Sequence, residues 1–95
     1  MELTGKRVAP SQHVLVRELQ GESVLLNLDS EAYFGLDEVG TRMWRVLTSA
    51  PSIEAAVETL FAEYAVDRDQ LRADLARFVA KLTDAGLVDL RDVQA

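Results

Sequence analysis

The spacing of apolar positions changes period once along the chain. His13–Leu19 (HVLVREL), Ser23–Leu28 (SVLLNL) and Ala32–Leu36 (AYFGL) are short, partly alternating runs of aliphatic and aromatic residues. They are separated by the polar triplets Gln20-Gly21-Glu22 and Asp29-Ser30-Glu31. Alternation bounded by turn residues predicts strands, and breaks this short predict an antiparallel meander, because parallel strands need crossovers of a dozen or more residues. If Val24, Leu26 and Leu28 line the inner face of the second strand, Leu25 and Asn27 point away from it. In the third strand Phe34 and Leu36 share one face, and Tyr33 and Gly35 the other.

After Leu36 the period becomes that of a helix. Asp37 is placed to cap a first helix whose apolar face carries Val39, Met43, Val46 and Leu47, with Trp44 beside them. Ala50-Pro51 ends it. Ser52 caps a second helix, with Ile53, Ala56, Val57, Leu60, Phe61 and Tyr64 as its stripe. Asp67 caps a third, Gln70 completing a capping-box-like pair, with Leu71, Leu75, Phe78, Val79 and Leu82 as the apolar face. Gly86 stands where a C′ glycine belongs, so that Leu87-Val88 can fold back on the core. The expected architecture is α+β and winged-helix-like: a three-stranded antiparallel meander followed by three helices. Residues 1–12 read as an irregular lead-in, 13–90 as one folded domain and 91–95 as a frayed tail.

Composition narrows what such a domain does. At 95 residues there is room for one core. The chain has 16 acidic and 10 basic side chains, a net charge of −6, one His and no Cys. These exclude disulfides, thiolate metal sites, Cys nucleophiles and multi-His centres, and no metal or cofactor is expected. The acidic balance argues against binding to nucleic acid or an anionic membrane. No apolar run follows Lys6-Arg7 as in a signal peptide, and none approaches the ~20 residues that span a bilayer, so a soluble cytoplasmic protein is expected.

Catalytic chemistry is hard to assemble from these residues. His13 neighbours Ser11, but adjacent positions in an extended segment point to opposite sides, and a nucleophile must lie within hydrogen-bond reach of its base. Asp37-Glu38, Asp67, Asp69 and Asp74 fall at helix starts or on exposed helix faces. There is no glycine-rich phosphate loop. The third helix carries Arg68, Arg72, Arg77 and Lys81, but Asp69, Asp74 and Asp84 are interleaved with them, unlike a phosphate-tracking face. No enzymatic activity is expected. What stands out is the third strand. It is a sheet edge, with Tyr33 near the rim and Gly35 permitting close backbone approach, and an extended peptide can add to such an edge as a further strand. The same edge allows pairing with a second copy, so a monomer or an edge-strand dimer is expected.

The run from Gly21 to Trp44 (GESVLLNLDSEAYFGLDEVGTRMW), with Ser52-Ile53-Glu54, Glu63-Tyr64-Ala65-Val66-Asp67 and Ala85-Gly86-Leu87-Val88, resembles the PqqD-like family over residues 13–88. The resemblance implies a non-catalytic peptide chaperone. It would grip the leader of a ribosomally made precursor peptide and present it to modifying enzymes. It further implies that the leader pairs with the third strand and lies against the third helix. Carried onto this sequence, the strand is Ala32, Tyr33, Phe34, Gly35 and Leu36, and the helical wall draws on Arg68, Leu71, Arg72, Leu75 and Val79. The member serving pyrroloquinoline quinone synthesis has an L-N pair ending strand three and a Cys segment after it. Here the pair is Leu36-Asp37 and Cys is absent, so a recognition element of lasso-peptide type fits better. Its implied partners are a leader-cleaving protease of transglutaminase-like fold and an ATP-dependent macrolactam-forming enzyme. A chaperone for quinone-cofactor synthesis and a winged-helix DNA-binding protein are the alternatives.

Overall fold

The computed structural model describes residues 4–93. The elements are β1 (Lys6–Pro10), β2 (Val14–Leu19), β3 (Glu22–Asn27), β4 (Tyr33–Leu36), α1 (Glu38–Ser49), α2 (Ile53–Glu63), α3 (Arg68–Asp84) and β5 (Val88–Asp92). The meander exists as expected, with order β2-β3-β4, both pairs antiparallel, and the three helices follow it. Gln20 and Gly21 both have positive φ between the partners Leu19 and Glu22, the two-residue hairpin geometry that matches strand twist.

The ends of the chain differ from expectation. Residues 6–10 are a strand rather than irregular, and they pair antiparallel with β5, Val8 opposite Leu90. Val8 is buried, and β1 packs on α1 and α2. The ladder runs through Asp92, and the Val93 N–H donates to the Gly5 carbonyl at 2.9 Å, so residues 91–93 of the expected tail are tied down. Residues 1–3 and 94–95 of the lead-in and tail lie outside the described residues. The segment KRVAP carries little local strand signal, and its partner is some eighty positions away, so only the tertiary pairing makes it a strand.

All three helix caps form. Asp37, Ser52 and Asp67 accept from the backbone N–H of Gly40, Ala55 and Gln70 at 2.8, 3.0 and 3.0 Å. The capping box at Asp67 is only half made, because the Gln70 amide donates to Asp74 instead of reaching back. At the other end of α3 the N–H of Leu87 bonds the Leu82 carbonyl and that of Gly86 the Thr83 carbonyl, a Schellman motif with Gly86 at φ 71°. This turn drops Leu87 and Val88 into the core, as the sequence suggested.

The register of β3 is the main correction. Its inner face is Ser23, Leu25 and Asn27, with Leu25 fully buried, while Val24 is 44% exposed. The alternation is therefore shifted by one residue from expectation, which turns every side chain to the other face. The polar residues are tolerated inside because each has partners. Ser23 Oγ lies 2.8 Å from Thr41 Oγ1 on α1. Asn27 Nδ2 donates to the Ala85 carbonyl at the end of α3 at 2.9 Å, and Asn27 Oδ1 accepts from the N–H of Asp29 and Ser30. Leu25, Leu47, Leu60, Leu75, Leu82 and Leu87 fill the centre around them.

Two stability outcomes follow from these contacts. Thr41→Val strands the buried Ser23 hydroxyl and should cost about 1–3 kcal/mol in urea unfolding. Adding Ser23→Ala should recover much of that loss, since both polar partners are then gone. Gly86→Ala puts a Cβ 2.8 Å from Asn27 Nδ2 at positive φ. It should cost roughly 2 kcal/mol or more, with the α3–β3 junction exchanging its amide hydrogens fastest.

Candidate functional site

A three-stranded sheet has two edges, and here they are not equivalent. The hydrogen bond from the Asn27 N–H to the Ala32 carbonyl sets the alternation along β4. Phe34 and Leu36 exchange bonds with β3, so Tyr33 and Gly35 turn their N–H and C=O groups to the open side. On β2 the bond from the Leu28 N–H to the His13 carbonyl sets the opposite parity, leaving Val14, Val16 and Glu18 outward. There the Val14 N–H is already directed at the Ser11 carbonyl, and Glu18 is clamped by Arg45 of α1 through contacts of 2.8 and 2.5 Å. The Arg45 hydrogen bonds hold the Glu18 carboxyl below its ordinary value. A charged, side-chain-locked edge resists strand addition, and β4 carries no comparable block.

The β4 edge also faces a groove. A cavity of about 520 Å³ lies between Gly35-Leu36, the first turns of α1 and the middle of α3. Its apolar surface comes from Val39, Met43 and Phe78, and its charged rim from Asp74, Arg77 and Lys81. Arg77 and Asp74 are ion-paired with each other. A Cβ built on Gly35 would meet nothing within 4 Å, so the close approach this glycine allows concerns what comes from outside the chain.

The residues expected at the site divide accordingly. Ala32 leads into β4, and Tyr33, Phe34, Gly35 and Leu36 form it. Phe34 and Leu36 face inward against the core, while Tyr33 is 77% exposed. The residues expected as the helical wall do not line this groove. Leu71, Leu75 and Val79 are buried in the core. Arg68 bonds Glu58 of α2 at 2.5 Å and lies over the Phe61 ring, and Arg72 is 3.5 Å from Glu54 of α2. All five belong to the buried stripe or to its α2 flank. The groove takes the other flank, Asp74, Arg77, Phe78 and Lys81. Helical periodicity identifies a buried stripe but carries no signal for which flank stays open. The one available clue was the set of acidic residues on α2, Glu54 and Glu58, which claim the cations facing them.

The outer sheet face, opposite the helices, is also apolar: Leu15, Leu26 and Tyr33 stand in register across the three strands. A second cavity of about 710 Å³ opens there, lined by Arg17, Leu19, Val24 and Gly35 among others. Elsewhere, the Ser11 hydroxyl accepts the His13 backbone N–H and the His13 ring lies 3.6 Å from Asp29, so Ser11 and the imidazole do not form a nucleophile–base pair. Among the described residues no three His, Cys, Asp or Glu side chains gather as a metal site requires, and no helix is long and apolar enough to cross a membrane.

Comparison with known proteins is consistent with this geometry. The family model for coenzyme PQQ synthesis protein D (PqqD) matches residues 22–88. TbiB1, solved in complex with the TbiA(beta) leader peptide, is 37% identical, with a TM-score of 0.80 over 85% of this chain and 94% of its own. A lasso peptide synthetase B1 complexed with the leader peptide has a TM-score of 0.76 at 23% identity, covering 90% of this chain and 99% of its own, a likeness of fold. No curated protein sequence matches. With the family model spanning all of β3 through α3 and a solved relative at this level of identity, the chain belongs to the PqqD family.

Proposed function

We propose that this protein is a non-catalytic recognition element that binds the leader of a ribosomally made precursor peptide as a fourth strand on β4. The observation that carries the proposal is the open edge itself: the outward N–H and C=O groups of Tyr33 and Gly35 lie beside a groove with an apolar floor. A relative of 37% identity solved with a leader peptide supports the same reading. Backbone bonds to the edge supply sequence-independent affinity, and alternate peptide side chains enter the groove. The gripping set is Ala32–Leu36 with Met43, Asp74, Arg77, Phe78 and Lys81, in place of the α2-facing flank of α3. The bound leader is presented to the enzymes of a lasso-peptide pathway in the cytoplasm, a leader protease and a macrolactam synthetase. The description of the matching family model favours one second reading, service in pyrroloquinoline quinone synthesis. That reading uses the same edge and differs in the partner enzymes, so reconstitution with each set of enzymes separates the two.

The test is a titration of a labelled leader peptide encoded beside the gene. Saturable binding at about micromolar Kd or tighter is expected, and none below ~100 µM would defeat the proposal. Gly35→Pro removes one outward donor and sets a ring on the open edge, while the β3–β4 bonds of Phe34 and Leu36 are spared. It should weaken binding by about tenfold or more with unchanged helical circular dichroism.

Truncations on α3 separate the two flanks. Phe78→Ala should weaken the leader by roughly 5–10-fold through lost apolar contact. Arg72→Ala, facing α2, should change it by less than about twofold. The reverse order would return the binding wall to the α2 side.

A further inference from the structure

The charges that rim the groove are not equivalent. Asp74 is engaged twice, by Arg77 and by the Gln70 amide at 2.9 Å, so it and Arg77 largely neutralise each other. Arg68 and Arg72 are held by α2 carboxylates on the other flank of the helix. Lys81 lines the groove and has no ion-pair partner among the described residues, although Asp84 follows one turn later. Among the described residues it is the cation of this groove that has no ion-pair partner.

Its position along that edge is also fixed. Asn27 holds the end of α3, at Ala85, against the turn that leads into β4. The opposite end of the groove is lined by Val39 and Met43 of α1, together with Leu36. α3 and β4 therefore run in opposite directions, with Lys81 towards the Tyr33 end and Asp74 about 10 Å further along, towards the Leu36 end. A peptide added antiparallel to β4, as every pair in this sheet is, runs from the Leu36 end to the Tyr33 end. Its groove-facing side chains recur about every 6.8 Å. One seated at Met43 and Phe78 is followed, two residues later, by one within reach of the Lys81 side chain.

Resting on the leader-binding reading above, we propose that Lys81 makes the site selective for leaders carrying a carboxylate two residues C-terminal to the apolar side chain held at Met43 and Phe78. The whole chain, at −6, repels an acidic peptide at long range, so the preference arises from contact and acts on the dissociation rate. It fades with added salt, as for other partly exposed pairs. A purely structural role for Lys81 exists as well, since it sits in the last turn of α3, where the helix dipole favours a cation. That role alters stability and every leader alike, and does not distinguish acid from amide.

The experiment uses the end-blocked, labelled leader encoded beside the gene, with each Asp or Glu exchanged singly for its amide, against the full chain, Lys81→Glu and Lys81→Arg. One amide exchange should weaken binding to the unaltered chain by about 3–10-fold, mainly by faster dissociation. In Lys81→Glu the same exchange should strengthen binding instead, because it relieves a like-charge contact, and in Lys81→Arg the weakening should be retained. A lysine at that leader position should bind Lys81→Glu better than the natural leader does. The proposal is overturned if the leader binds tightly yet no amide exchange matters by about twofold, or if Lys81→Glu weakens acid and amide leaders equally. A leader that fails to bind the unaltered chain overturns the strand-addition reading and this selectivity with it.

Discussion

The Asn27 carboxamide joins three parts of the chain that are distant in sequence or in direction. Its nitrogen donates to the Ala85 carbonyl at the end of α3, and its oxygen accepts two backbone N–H groups of the β3–β4 turn. A strand end, a turn and a helix terminus are thereby held by one side chain. Because β4 begins just beyond the turn and α3 forms the opposite wall, the same joint sets the spacing of the groove at its Tyr33 end. It also explains Gly86: the helix must leave through a left-handed residue, and a Cβ there would collide with the amide that makes the joint.

The remaining openness of β4 depends on how the charges are distributed. Of the ten cationic side chains, Arg42 and Arg45 are spent on Glu63 and Glu18, and Arg68 and Arg72 on α2. The Glu18–Arg45 pair disfavours strand addition at the β2 edge, and the α2 pairs engage the cations on one flank of α3. Within the three-stranded sheet β4 is therefore the edge that faces a wall carrying both apolar surface and a cation with no ion-pair partner among the described residues. Much of the acidic surplus stands in helix caps and surface pairs, and at the groove Asp74 is held by Arg77 and Gln70.

Much of this was legible in the sequence, and the parts that were not share a cause. The three meander strands, the three helices, their caps and the C′ glycine were all marked by local signals that tertiary structure reinforced. The inner face of β3 was misjudged because Ser23 and Asn27 look solvent-facing, whereas Val24 and Leu28 look buried. Burial was decided by hydrogen bonds to Thr41 and Ala85, which lie 18 and 58 residues away. β1 was missed for the same reason, its partner being at the far end of the chain. The edge position of β4 is legible, since order and turn length suffice for that. Which flank of α3 faces the groove is not legible, since both flanks carry arginines and only the position of α2 tells them apart.

The division between edge and groove has a consequence for how such a site discriminates. Backbone bonds from Tyr33 and Gly35 are available to any extended chain without Pro at the paired positions, so they set affinity but reject little. For a peptide added to this edge, alternation would leave only every second residue facing α3, and an apolar floor such as that of Met43 and Phe78 would discriminate little among side chains of similar size. Differences among apolar residues there are worth about 1–3 kcal/mol at most. Selection among many extended peptides then needs a second, chemically different contact at a fixed spacing from the first. On the strand-addition proposal, the register between β4 and α3, held by Asn27, would supply that spacing.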